Sequence, residues 1–213
     1  MAESNVSQTR LYEWLTGDDD SRMCDDIPES ACDEQPRNFF LHIWASLGNK
    51  LADELSSARL VLPWLMGIIG APIWMVGLLV PIREAGALLP QIFVAGFIRL
   101  KPRRKWVWVA GALTQAFAAL ALAALALFAN GTLGGALVLA ALILLSLARG
   151  LSSIATKDVL GKTIAKRRRG TLMGWSGSIA GGATLVAGGL LMLFESRPGH
   201  FVVAILLTIA ACG

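Results

Sequence analysis

Between Leu60 and Leu100 the chain reads LVLPWLMGIIGAPIWMVGLLVPIREAGALLPQIFVAGFIRL, and Lys101-Pro-Arg-Arg-Lys105 follows at once. Before Arg99 its only charges are the adjacent pair Arg83 and Glu84, which divide it into apolar segments 60–82 and 85–98. A helix rises about 1.5 Å per residue, so crossing a bilayer takes roughly 20 apolar residues. The first segment has that length, and the second has it when counted from Glu84 to the basic cluster. The expectation is a transmembrane hairpin with spans 60–82 and 84–100. Arg83 and Glu84 then stand at one bilayer face and the basic cluster at the other.

Charge patterning extends this to the whole chain. Of 213 residues 55% are hydrophobic and 16% charged, against about a quarter charged in a soluble domain. Residues 1–59 hold 12 of the 15 acidic residues and 5 of the 19 basic ones. The remaining positive charge is gathered into two short connectors between apolar runs, the bias expected of cytosolic loops. A basic pI is therefore no sign of nucleic-acid binding. Cys24, Cys32 and Cys212 make no disulfide framework. Residues 1–35 contain nothing like the apolar core of a signal peptide.

In chain order, residues 1–37 read as an acidic, disordered cytosolic tail, too poor in apolar surface to repay ordering. Arg10, Leu11, Tyr12, Trp14 and Leu15 form at most one amphipathic turn. Residues 38–59 read as an amphipathic cytosolic or interfacial helix. Phe40, Trp44, Leu47, Leu51 and Leu55 fall on one face, with Asn49, Asp53 and Glu54 opposite. His42 in this helix reads as a solvent or interface histidine. The transmembrane bundle occupies 60–213, with further spans at 106–128, 133–153, 172–194 and 201–213, the last cut short at twelve apolar residues. Basic connectors follow spans two and four, which puts the N-terminus in the cytosol. The turns at Arg83–Glu84, Asn130–Thr132 and Glu195–His200 then lie outside. The fold class expected is an all-α membrane protein with a six-helix transmembrane bundle whose last helix is incomplete.

This arrangement resembles the N-terminal half of a major facilitator superfamily transporter, a family built from two six-helix halves. In the loop between spans two and three, Gly96, Lys101, Arg104 and Lys105 follow the family's glycine and basic pattern. Leu100 and Arg103 replace its aspartate and second glycine. Arg149 in span four resembles the family's intramembrane arginine, and Arg169-Gly170 the Arg-Gly that opens its fifth span. Gly177, Gly181, Gly182, Gly188 and Gly189 are similar to its glycine-rich fifth helix, without the expected proline. The resemblance implies alternating-access transport of a small solute across a bacterial inner membrane, no enzyme activity and no cofactor. The implied partners are the lipid bilayer, the solute and a second six-helix half. The alternative is a non-transporting half-transporter or a membrane scaffold with an acidic docking tail.

Candidate residues each carry a plainer reading. Arg149, about four residues inside the expected end of span four, either snorkels to the cytosolic face or lines the cavity. Gln91, Gln115 and Trp74 are cavity candidates, though a glutamine in a span can equally bond a neighbouring helix. Gly96, Lys101, Arg104, Lys105 and Arg169 are candidates for a cytosolic gate. Arg83 and Glu84 are a helix-hairpin cap or an outer gate, and Lys157 and Asp158 an interfacial pair or a gate element. Glycines 67, 70, 174, 177 and 181 suit close helix contact, and Pro63, Pro72 and Pro90 suit kinks. The end of a phosphate-binding loop at Gly161-Lys162-Thr163 is rejected, since Thr156 stands where the motif needs glycine. No metal-ligand spacing and no serine–histidine–acid set can be assembled.

Overall fold

The computed structural model describes Tyr12 and residues 34–99, 105–193 and 199–212; of 91–99, 105, 187–188, 190–193 and 200 only the backbone is described. Among the described residues the fold is all-helical, with seven long elements: α1 Gln35–Leu55, α2 Val61–Ile68, α3 Ile73–Arg99, α4 Lys105–Phe128, α5 Gly131–Thr163, α6 Lys166–Leu193 and α7 His200–Cys212. Among the described residues three helical segments are long and apolar enough to cross a bilayer: Ile73–Pro90, Trp106–Phe128 and Gly131–Thr163. The outer surface has the matching character. Phe117, Phe128, Leu133, Leu185 and Phe201 are all at least two-thirds exposed, an arrangement stable where the solvent is hydrocarbon.

The hairpin expected at Arg83–Glu84 is not formed. That pair lies inside α3, a single helix of 27 residues with Pro81 and Pro90 in its interior. The chain instead reverses at Gly70, where φ is +71°, a left-handed conformation that only glycine adopts cheaply. Pro72 follows just before α3. A second reversal uses Gly131 at φ +64°, and its N–H donates to the Ile69 carbonyl at 2.6 Å. The α2–α3 and α4–α5 turns therefore share one end of the molecule. The apolar run 60–82 is accordingly split between short α2, with Pro63 in its first turn, and the start of α3.

Helix α5 is the axis of the packing, with α3 and α4 against it. Helix α7 packs on α4, α2 on α3 and α7, and α1 on α6 and α7. The main core joins Leu62, Leu65 and Met66 of α2, Leu79 of α3, Leu122 of α4, Leu142 of α5 and Leu207 of α7. Glycines permit the closest crossings, at positions other than those expected. A Cβ on Gly150 would stand 2.5 Å from the Ala87 carbonyl oxygen, and one on Gly86 would stand 2.6 Å from Ser146 Cβ, so α3 and α5 touch at backbone distance. A Cβ on Gly67, Gly174, Gly177 or Gly181 would meet open space instead.

Helix α5 continues ten residues beyond the span end expected at Ser153, which carries Lys157 and Asp158 within it. The second basic connector shrinks to Ile164 and Ala165. A smaller core there joins Phe39 and Ile43 of α1 to Leu160, Ile164 and Leu172. Tyr12, expected to lie in a disordered tail, is buried in this core. Its ring meets Phe39 edge-on at 5.3 Å and lies 4.4 Å beneath the Arg168 guanidinium. The other residues of 1–33 lie outside the described residues.

Candidate functional site

The face of α1 expected to be apolar is not uniformly packed: Leu55 is buried and Phe40 lies against the smaller core, but Trp44 is not covered. Trp44 and Leu41 are exposed, while His42 and Ile43 are buried. The polar residues His42, Ser46, Asn49 and Asp53, spaced by four, three and four, line a cavity of about 520 Å³. The far walls come from Gln115 of α4, from Arg149, Ser152, Ser153, Thr156 and Lys157 of α5, and from Met173, Ser176 and Gly177 of α6.

At one end of this cavity Asp53 is held between two arginines. Arg149 Nη2 lies 2.7 Å from Asp53 Oδ2, and Arg83 Nη2 lies 3.4 Å from Asp53 Oδ1. The two arginines differ in how far they are satisfied. Arg83 also donates to the Ser56 carbonyl at 2.5 Å and the Asp53 carbonyl at 3.0 Å, and its side chain is 11% exposed. It closes the C-terminal end of α1, where carbonyls lack helical partners. Charge inside α3 is thereby compensated, so Arg83 needs no place at a membrane surface. Arg149 has Asp53 as its one described partner, and its side chain is 38% exposed toward the cavity. The contact is an ion pair, and it leaves the five N–H donors of the guanidinium without a hydrogen bond among the described residues.

A second cavity, of about 250 Å³, lies across the ion pair and is lined by Glu54, Ser57, Arg59, Arg83 and Glu84. Asp53 and Arg149 line both cavities, so the pair forms the wall between them. Glu84 is exposed in the second cavity and pairs with Arg59 at 3.6 Å.

Several other side chains fix the walls. Gln115 Nε2 donates to Ser152 Oγ at 2.9 Å and ties α4 to α5; it serves as cavity lining and helix bond together. Thr163 Oγ1 donates to the Val159 carbonyl at 2.9 Å, so it accepts from His42 Nε2–H, also at 2.9 Å. That assignment puts a proton on Nε2. The His42 ring stacks on Trp108 at 6.0 Å. Arg169 donates to the Ile164 carbonyl at 3.0 Å and the Gly161 carbonyl at 2.6 Å, which makes it a cap for the end of α5. Asp158 pairs with Lys162 at 3.4 Å one turn on.

Of the residues singled out from sequence, Arg149, Gln115 and Lys157 come together in the larger cavity, and Arg83 and Glu84 in the smaller. Trp74 is 59% exposed in the first turn of α3 and lines neither cavity. Gln91, Gly96 and Lys105 are helical, with side chains outside the described residues, and Lys101 and Arg104 lie outside them altogether. Asp53 is the residue sequence reasoning missed. The available signal was the polar spacing His42, Ser46, Asn49, Asp53, together with the need of an intramembrane arginine for a counter-charge. No grouping of His, Cys, Asp and Glu suited to a metal occurs among the described residues. Comparison with protein-family models, curated proteins and solved structures gives no match for this chain.

Proposed function

We propose that the chain is a six-helix half of a secondary transporter of the major facilitator type, moving a small solute by alternating access. In this reading α1 and α2 together make the first crossing, broken at 56–60, and α3 to α7 make the other five. The N-terminus and both basic connectors face the cytosol of a bacterial cell. The Gly70 and Gly131 turns face outward.

The observation that carries the reading is that two cavities, the smaller one polar, meet at the Asp53–Arg149 ion pair. Intramembrane ions are expensive and cluster on solute or ion pathways. A bilayer scaffold needs no such feature. The larger cavity is lined by α6 where Gly177 meets open space, which leaves room for a second half.

Reconstitution tests this directly. Liposomes containing the chain, alone or with a second six-helix half, are expected to exchange a labelled solute from a panel of sugars, amino acids and organic acids. Arg149→Ala is expected to abolish the exchange. Absence of exchange under both conditions, from monodisperse folded protein, would favour the non-transporting scaffold.

A further inference from the structure

The transporter reading leaves the solute class open, and the charges around the larger cavity narrow it. We propose that this cavity binds a small hydroxylated organic anion, whose carboxylate takes the Arg149 guanidinium from Asp53. The proposal rests on the transporter reading and names its solute.

Three observations converge. First, Lys50, Lys157 and Arg149 line the cavity, and Asp53 is the sole acidic residue among its described lining. Asp53 is already shared with Arg83, so the site carries an excess of positive charge. Second, Arg149 faces the cavity with its donors unused by any hydrogen bond among the described residues. A carboxylate can engage that planar fork through two parallel N–H bonds, where Asp53 only approaches one nitrogen, at 2.7 Å, as an ion pair. Third, hydroxyls and amides of Ser46, Ser153, Asn49 and Gln115 line the cavity beside an apolar wall of Leu160, Leu172 and Met173. A volume of about 520 Å³ falls in the range of small-molecule sites.

The arrangement also says what binding would do. Arg83 keeps its two carbonyl acceptors and His42 its bond to Thr163 when Asp53 turns away from Arg149, so α1 stays on α3 and on the C-terminal end of α5 while the Asp53–Arg149 tie is released. The wall between the two cavities is that tie. An anion on Arg149 would therefore occupy the site and loosen the partition in one event.

The test is a charge series of similar size: gluconate, glucose and glucosamine, titrated calorimetrically against the full chain in nanodiscs. Gluconate is expected to bind, with glucose and glucosamine silent at the same concentrations. Arg149→Gln is expected to weaken gluconate at least tenfold, as loss of a charge partner does. Asp53→Asn removes the competitor and keeps an acceptor for Arg83. It is expected to tighten gluconate about tenfold, because Arg149 no longer spends most of its time occupied. A merely structural Asp53 would not give that gain. Equal or stronger binding of glucose or glucosamine by the wild-type chain overturns the proposal without any variant. So does weaker or unchanged gluconate binding by folded Asp53→Asn. Gluconate binding in the expected order without flux through liposomes keeps the site and removes the transport reading. Flux of glucose or glucosamine without gluconate binding does the reverse.

Discussion

Arg83 and Arg149 touch the same carboxylate and should nevertheless respond differently to removal. Arg83 is buried and holds two carbonyls as well as Asp53. Arg83→Met leaves those acceptors orphaned, and breaking a buried pair from one side costs about 3–5 kcal/mol. Arg149 is 38% exposed and Asp53 keeps Arg83 as a partner when it is removed, so Arg149→Met should cost clearly less than Arg83→Met. Thermal unfolding in detergent, followed by tryptophan fluorescence, is expected to show a large drop in midpoint for the first and a small one for the second. Equal drops would remove the distinction between a structural and a functional arginine.

At the scale of elements, α3 and α5 must cross at backbone distance for both arginines to reach Asp53. Gly150 makes that possible against Ala87 and Pro90, and Gly86 against Ser146. Gly150→Leu forces the helices apart, and overpacking of this kind costs about 1–3 kcal/mol. It should also weaken solute binding at Arg149, whereas Gly161→Leu, at a site with open space around it, should change neither. The same elements show what the sequence could and could not disclose. Hydrophobic periodicity located α1 as a helix with Phe40, Trp44, Leu47, Leu51 and Leu55 on one face, yet Trp44 is exposed and Leu55 buried, because periodicity reports which residues share a face and not what each of them meets. The Arg83–Glu84 pair read as a bend because charge is costly in lipid. The acceptors that compensate it come from α1, a segment about thirty positions earlier, and no local pattern reveals them. Arg149 was readable as an intramembrane charge, but its partner Asp53 required the three-dimensional approach of α1 to α5.

For the whole molecule, three segments of the described residues are long and apolar enough to cross a bilayer, and the proposed six crossings require a different first crossing. The run 60–82 is not one span, because Gly70 and Pro72 break it. The proposal that α1 and α2 cross together places Asp53 at depth beside Arg83 and Arg149. It also keeps both basic connectors on one side, in line with the positive-inside bias. The unmatched Gly174, Gly177 and Gly181 on α6 are then surface that a second half would cover. The most direct measurement is the sidedness of α1 plus α2. Single cysteines replace Arg37 and Ile73, both exposed, with Cys24, Cys32 and Cys212 changed to serine, and a membrane-impermeant maleimide is applied to intact cells. Position 73 is expected to label from outside and position 37 only after the membrane is opened. Labelling of both from the same side would contradict the crossing, and with it the buried placement of the Asp53 site.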